Sequence, residues 1–255
     1  MSGIRTVDEP ERLDPAGPAA DPEARRAELA RGLAEVERRI TEACAAAGRR
    51  RDEVTLIAVT KTYPASDVRT LVELGVTHIG ENRDQEASAK AAACADLPIT
   101  WHFIGQLQTN KAKSVARYAA MVHSVDRLRL VRALGTAAVR AGRVIDCLVQ
   151  VALEREPDPN RGGVPPAGVM EIADAVAGTE GLRLAGVMAV APLGEDPAPA
   201  FARLAEVAEA VRKEHPEARV ISAGMSGDLH QAIANGATHV RVGTALLGRR
   251  KPFVR

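Results

Sequence analysis

Residues 54–82, VTLIAVTKTYPASDVRTLVELGVTHIGEN, contain two short apolar runs on either side of an amphipathic stretch. The runs 54–60 and 77–80 have the length of buried strands, and residues 66–74 between them have helical periodicity and are followed by Gly75. A strand, helix and strand in series favour parallel strands joined by a right-handed crossover.

The same unit recurs along the chain, and it predicts eight strands. The strands are expected at residues 54–60, 77–80, 101–105, 121–125, 145–153, 184–191, 220–223 and 239–243. Eight strands alternating with helices favour an α/β fold with a single closed (β/α)8 TIM barrel. An open, doubly wound sheet is the alternative, but its usual Gly-x-Gly-x-x-Gly turn after the first strand is missing.

The N-terminal region divides into two parts. Residues 1–20 are rich in Pro, Asp, Ala and Gly without a hydrophobic period, which predicts a disordered tail. Asp21 and Pro22 are typical of the start of a helix, and an apolar face follows up to Gly48. We therefore expect an N-terminal helix and one barrel domain over residues 21–255.

Composition excludes several classes of protein. The net charge is +1, which argues against nucleic-acid binding, and no apolar run is long enough to span a membrane. The three cysteines lie far apart and the six histidines show no metal-ligand spacing, so neither disulfides nor a metal site is predicted. Reduced thiols and the absence of an export signal fit the cytoplasm. A basic stretch at residues 109–117 is expected to be a solvated helix face.

Active sites of such barrels lie at the C-terminal ends of the strands, with phosphate commonly bound after the seventh and eighth. Lys61 ends the first strand, Ser226 follows the seventh as a predicted helix N-cap, and Arg241, Gly243 and Thr244 end the eighth. An amine facing an anion site indicates a Schiff base with an aldehyde cofactor whose phosphate is bound opposite. Capping alone also explains Ser226, and a lysine at the rim can simply point into water.

Seven motifs together resemble the YggS/PROSC family of pyridoxal phosphate (PLP) homeostasis proteins. They are AVTKTYP at 58–64, HIGEN at 78–82, WHFIGQLQTNKAK at 101–113, SVDR at 124–127, GVMAV at 186–190, SAGMSGD at 222–228 and VRVGTALLG at 240–248. The resemblance covers roughly residues 25–250 and implies a fold-type III PLP barrel like the N-terminal domain of alanine racemase.

The resemblance also implies roles for six residues. Lys61 would form the Schiff base, Asn82 would line the cofactor site and Arg241 would face the pyridine nitrogen. The phosphate would be held by Ser226, Gly243 and Thr244. Two positions depart from the family pattern: Arg83 stands where a tyrosine is common, and the loop that often carries a Ser-Lys-Gly element offers Arg161 in place of its lysine.

The resemblance implies a PLP-binding protein of intracellular PLP homeostasis, from a family that is usually monomeric and has no established catalytic turnover, so no catalytic residue is assigned. An open site without a second domain suits storage of PLP and its delivery to apo PLP-dependent enzymes. The alternative is a PLP-dependent amino-acid racemase-like enzyme, because residues 240–248 also resemble alanine racemase. Such racemases add a second domain that supplies a catalytic tyrosine, whereas seven residues follow Gly248 here. Tyr63, near Lys61, is expected to be a packing residue.

Overall fold

The computed structural model describes residues 21–154 and 161–248. Its eight parallel strands form a closed barrel in the order of the chain, and β8 pairs with β1 to close it. The strands are β1 Thr55–Val59, β2 His78–Glu81, β3 Thr100–Phe103, β4 Met121–Val125, β5 Ile145–Gln150, β6 Leu182–Met188, β7 Val220–Ser222 and β8 His239–Val242. The predicted (β/α)8 barrel is confirmed, and the open sheet is wrong.

Helices surround the barrel and connect its strands. Within the described residues they are α1 Pro22–Ala46, α2 Ala65–Glu73, α3 Asp84–Ala93, α4 Ala112–Val115, α5 Leu128–Arg140, α6 Val169–Ala177, α7 Pro197–Glu214, α8 Leu229–Ala234 and α9 Thr244–Leu247. The short α8 and α9 follow the two strands for which the sequence predicts phosphate binding. No helix in the described ranges has the length and apolarity needed to cross a membrane.

The predicted N-terminal helix is confirmed. The Asp21 side chain accepts a hydrogen bond from the Glu23 N–H, and Pro22 occupies the first helical position. The buried face of α1 packs against α8 and α9. At Gly32 the contact is so close that a Cβ would lie 2.2 Å from the Leu246 carbonyl oxygen, so no side chain fits there.

The apolar core lies mainly between the strands and the surrounding helices. Inside the barrel, one small apolar group contains Met121, Leu148, Ala185 and Met188. Buried polar side chains also contact one another there: His102 on β3 contacts His123 on β4, and Ser222 on β7 contacts both His123 and Arg241 on β8. The barrel interior is therefore partly polar, in contrast to the usual Val, Ile and Leu filling.

The structure differs from the sequence prediction mainly at element ends. Strands β5 and β6 end three residues earlier than expected, because the chain then leaves the barrel wall for loops at the rim. The N-cap of α8 is Asp228, so the prediction of Ser226 at that position is wrong. The predicted tail at residues 1–20 lies outside the described residues.

Candidate functional site

Lys61 lies in a tight turn immediately after β1. Thr60 is fully buried, whereas Lys61 is exposed. Thr62 has a positive φ of 69°, and its N–H donates to Glu86 Oε2 at 2.9 Å. A positive φ is uncommon outside glycine, so this turn is a defined backbone feature that sets where Lys61 leaves the strand.

A cleft of about 370 Å³ brings the ends of β1 and β8 together. Its lining consists of Val59, Lys61, Thr62, Tyr63, Gly243, Thr244 and Gly248. The Tyr63 hydroxyl donates to the Gly248 carbonyl at 2.6 Å and so links the two strand ends across the cleft. Three of the six residues predicted for the site, Lys61, Gly243 and Thr244, therefore share one opening.

The β8 side of the cleft offers backbone donors. Helix α9 begins at Thr244, and the Leu246 and Leu247 N–H groups both bond to the Gly243 carbonyl at 2.9 Å. The N–H groups of Thr244 and Ala245 precede these bonds and have no intrahelical acceptor. Such groups suit an anion, and the Thr244 hydroxyl lies beside them.

Ser226 lies in the turn between β7 and α8 and is half-buried. Arg39 of α1 donates to the Ser226 carbonyl at 2.7 Å, and Asp228 Oδ1 accepts from the Met225 N–H at 2.5 Å. These bonds define the turn from both sides. Ser226 is not among the residues that line the cleft, so the structure does not bring its side chain to Lys61 directly.

Arg241 points into the barrel and is only 5% exposed. Its Nη1 donates to Ser222 Oγ at 2.6 Å and its Nη2 to the Ala189 carbonyl at 2.8 Å. Burial lowers the pKa of Arg241 from its ordinary value to about 10, so the guanidinium remains charged at neutral pH. Two of its five N–H donors are used among the described residues, and three are left for another acceptor.

Asn82 follows β2 and is half-buried. A Cβ on Gly105 would lie 2.1 Å from the Asn82 carbonyl oxygen, so the loop after β3 packs tightly on the Asn82 backbone. Asn82 does not line the cleft either. Its neighbour Arg83 is exposed and lies 3.7 Å from Glu86.

Two buried polar groups were not assigned to the site from sequence. Lys90 Nζ donates to the Thr60 carbonyl and to Glu81 Oε1, both at 2.6 Å, directly behind Lys61. Lys90 is only 8% exposed, but it lies on an Ala-rich helix whose sequence has no periodic pattern that would indicate a buried lysine. The second group is His102 on β3, which is buried and contacts His78 and His123 at 2.9 Å each.

Arg161 connects two loops at the rim of the barrel. It donates to the Ala191 carbonyl at 3.1 Å and pairs with Glu154 at 2.6 Å. These contacts join the loop that follows β5 to the loop that follows β6. Lys111, Lys113 and Arg117 are exposed, as expected for a solvated face. Within the described ranges, no cluster of three acidic, histidine or cysteine side chains suits a metal ion.

The chain is similar to known proteins over most of its length. Residues 33–251 match the family model described as alanine racemase, N-terminal domain. A curated relative from Mycobacterium tuberculosis, named pyridoxal phosphate homeostasis protein, is 45% identical over 246 residues, covering 89% of this chain and 95% of the relative.

Solved structures agree with the fold. PipY of Synechococcus elongatus, solved with PLP bound, superposes with a TM-score of 0.75 at 34% identity and covers 86% of this chain and all of PipY. Alanine racemase from Streptomyces coelicolor superposes with a TM-score of 0.68 at 19% identity. That match covers 88% of this chain but 59% of the racemase, and at this identity it shows the fold alone.

Proposed function

Because the chain belongs to the alanine racemase N-terminal domain family and to the pyridoxal phosphate homeostasis proteins, we propose that it binds PLP and delivers it to PLP-dependent enzymes. In this proposal Lys61 holds the cofactor as a Schiff base. The observation that carries it is the shared cleft, where Lys61 lies opposite Gly243 and Thr244 in one opening.

The donor set fits the two reactive ends of PLP. When bound, PLP would supply an aldehyde carbon that forms a Schiff base with an amine and releases water, and a second amine could then bond to that carbon and release the first. Lys61 is the amine at the cleft, and Gly243 and Thr244 offer backbone and hydroxyl donors for a phosphate. Ser226 and Asn82, on neighbouring loops, complete the proposed cofactor-binding set.

The three uncommitted donors of Arg241 support a role toward the pyridine nitrogen. Arg241 is 5% exposed, so an acceptor beside its remaining donors would offset part of the cost of burying the guanidinium. The guanidinium cannot accept a proton from the ring and remains charged at neutral pH. Arg241 would therefore hold an unprotonated pyridine nitrogen, which makes the ring a weaker electron sink.

The open geometry of the cleft favours a carrier over an enzyme. Lys61 is exposed, so water and an incoming amine can reach it. Tyr63 is the tyrosine nearest Lys61 in the sequence, and its hydroxyl is bonded to the Gly248 carbonyl. A PLP-dependent racemase-like activity is the competing proposal, and the fold shared with alanine racemase is the observation that supports it.

The proposed place of action is the cytoplasm. Cys44, Cys94 and Cys147 are all buried free thiols. Proteins kept in a reducing compartment commonly have unpaired cysteines, whereas exported domains pair them.

Borohydride reduction tests the attachment of PLP. Purified protein is incubated with PLP, reduced and digested, and the labelled peptide is identified by mass spectrometry. We expect one labelled peptide that contains Lys61, and no such label in Lys61→Ala. Lys113→Ala, which removes an exposed lysine far from the cleft in sequence, is the control and should label normally. Undiminished label in Lys61→Ala would contradict the proposal.

Transfer and turnover are distinguished in a second experiment. The PLP-loaded protein is mixed with an apo PLP-dependent enzyme while a phosphatase destroys PLP in free solution. Recovery of the recipient's activity at a higher level than with the same amount of free PLP supports delivery. Sustained interconversion of amino-acid enantiomers over many turnovers, without transfer, would favour the racemase-like enzyme instead.

A further inference from the structure

A chain of hydrogen bonds runs through the barrel from its N-terminal end to Arg241. His78 Nδ1 contacts His102 Nε2 at 2.9 Å, and His102 Nδ1 contacts His123 Nε2 at 2.9 Å. His123 Nδ1 then contacts Ser222 Oγ at 3.0 Å, and Ser222 Oγ accepts from Arg241. Since His123 on β4 and Ser222 on β7 are not on neighbouring strands, the chain crosses the barrel interior.

The donor direction of this chain follows from Arg241. A guanidinium only donates, so Ser222 Oγ is an acceptor in that bond. Ser222 is fully buried, and among the described residues its hydroxyl hydrogen has one available acceptor, His123 Nδ1. His123 therefore carries its hydrogen on Nε2 and donates to His102 Nδ1, and His102 donates from Nε2 to His78 Nδ1 in the same way.

The reverse direction leaves a buried donor unpaired. If His123 donated from Nδ1 to Ser222, the serine hydrogen would have no acceptor among the described residues. A doubly protonated His123 would have the same defect, besides being close to Arg241. An unsatisfied buried donor loses its interaction with water without replacement, so these two states are disfavoured.

The electrostatic surroundings agree with neutral rings. Burial lowers the pKa of His102 and His123 well below the usual value, and the nearby cationic or ionisable groups act in the same direction. His123 faces His102, His239 and Arg241, whereas His102 faces His78, His123 and His239. Among the described residues, the carboxylate that acts on Arg241 is Asp228.

We propose that His78, His102 and His123 are positioning residues, which hold the Ser222 hydroxyl so that its lone pairs face Arg241 and fix the guanidinium in the cofactor site. Their effect on the cofactor rests on the function proposed above. Ser222 and the Ala189 carbonyl hold Nη1 and Nη2, so the direction of the three remaining donors is set by this chain. His123, which contacts Ser222 itself, is the member with the largest expected effect.

The tautomers can be measured without PLP. Apo wild-type protein with ¹⁵N-labelled histidine is studied at pH 7 by two-bond ¹H–¹⁵N correlation, with signals assigned from single histidine variants. We expect His78, His102 and His123 to be neutral and protonated on Nε2. A His123 ring that carries hydrogen on Nδ1, or on both nitrogens, would overturn the inference whatever the protein does with PLP.

Matched variants test the positioning role. In His123→Asn the amide oxygen can accept from Ser222, whereas His123→Leu removes the acceptor. We expect PLP affinity to fall about 10-fold or more in His123→Leu, with a shifted absorption band of the bound cofactor, and to change by less than about 3-fold in His123→Asn. His230→Leu, at an exposed position on α8, should match the wild type.

Equal PLP affinity in His123→Leu and wild type, or equal loss in the Leu and Asn variants, would overturn the positioning role. If His123→Leu does not fold, the wild-type tautomer spectrum decides. A wild-type protein that takes up no PLP would contradict the proposed function, and the tautomer pattern would then be the test of the hydrogen-bond chain. PLP uptake together with tautomers other than those expected would contradict this inference and leave the proposed function standing.

Discussion

At the scale of single residues, a buried ion pair fixes the backbone next to Lys61. Glu81 is completely buried and Lys90 is nearly so, and their charged atoms lie 2.6 Å apart. Lys90 also donates to the Thr60 carbonyl, and the Thr60 hydroxyl donates to Glu81 Oε1 at 2.6 Å. Glu81 Oε2 has no partner among the described residues. Lys90 and Thr60 are therefore the groups that offset the cost of burying the Glu81 carboxylate.

Replacing Lys90 by Met should be strongly destabilising, because it leaves the Glu81 charge buried and unpaired. We expect the free energy of unfolding in guanidinium chloride to fall by roughly 3–5 kcal/mol. The double variant Glu81→Leu/Lys90→Met removes both charges and should recover much of this loss. Lys113→Met, at an exposed position, is the control and should change stability by about 0.5 kcal/mol or less. A Lys90→Met protein as stable as this control would contradict the interpretation.

At the scale of elements, α1 supports the side of the barrel that carries the proposed phosphate site. It packs on α8 and α9, Arg39 donates to the Ser226 carbonyl, and Gly32 lies against the Leu246 carbonyl. Arg25 donates from Nη1 to the Leu247 carbonyl at 3.1 Å. The helix therefore contacts both segments that follow β7 and β8.

Gly32→Ala separates helix propensity from packing. In an isolated helix this change should stabilise by about 1 kcal/mol, but here the new Cβ would lie 2.2 Å from a backbone oxygen of α9. We expect the packing term to win, with a net loss of roughly 1–3 kcal/mol in unfolding free energy and weaker PLP binding because Thr244 begins that helix. In the control Gly168→Ala the nearest atom, Val164 Cβ, would be at 3.7 Å, so little change is expected. A more stable Gly32→Ala protein would show that α1 moves freely against α9.

The buried histidine side chains of the barrel predict a loss of stability in mild acid. Burial lowers the pKa of His239 to about 4, and it also lowers the pKa of His102 and His123. In the unfolded chain the pKa of these rings is about 6.5, so below that pH the unfolded state binds more protons than the native state. Their contribution is complete above about pH 6.5 and is lost progressively as the pH falls toward the folded values.

The unfolding free energy of the apo protein should therefore fall between pH 7 and pH 5, by up to about 1.4 kcal/mol per pH unit for each such histidine. Urea unfolding at half-unit pH steps measures this slope. His239→Asn should reduce it, because one titrating ring is removed, whereas His230→Asn at an exposed site should leave it unchanged. A stability that is constant from pH 7 to pH 5 would contradict the burial of neutral rings.

Sequence periodicity predicts these elements well, because each strand and helix carries its own local signal. All eight strands were predicted, and the boundaries of β4 agree at both ends. The N-cap of α8 was predicted at Ser226 and lies at Asp228, because the Asp228 side chain binds the Met225 N–H and delays the helix. A turn set by side-chain bonds leaves no periodic signal from which its end can be located.

At the scale of the whole molecule, closure of the barrel decides which distant residues meet. Lys61 and Thr244 are far apart in the chain, and their proximity was predicted because β1 and β8 close the sheet. The chain of hydrogen bonds from His78 to Arg241 was not predicted as a unit, because its members are single residues on five strands. Which ring contacts which depends on strand register and tilt, and a hydrophobic pattern does not encode these.

The distribution of exposed apolar side chains predicts a monomer. Among the described residues, the large exposed hydrophobic side chains are Val139, Val144, Leu193 and Met225. Val139 lies near the end of α5 and Val144 immediately precedes β5, whereas Leu193 and Met225 lie in loops that follow β6 and β7. The two pairs therefore lie toward opposite ends of the barrel. A stable interface buries about 800 Å² on each partner around an apolar centre, and four scattered side chains do not form one.

Light scattering coupled to size exclusion tests this prediction. We expect a mass near the 27.0 kDa of one chain, unchanged over a hundredfold range of protein concentration and by addition of PLP. Leu193→Ser removes the most exposed of these side chains, at 86% exposure, and should leave the mass unchanged. A mass of two chains that reverts to one in Leu193→Ser would show instead that the rim of the barrel is a contact between copies. The cleft would then lie near that contact, and access of an acceptor enzyme to Lys61 would depend on dissociation of the dimer.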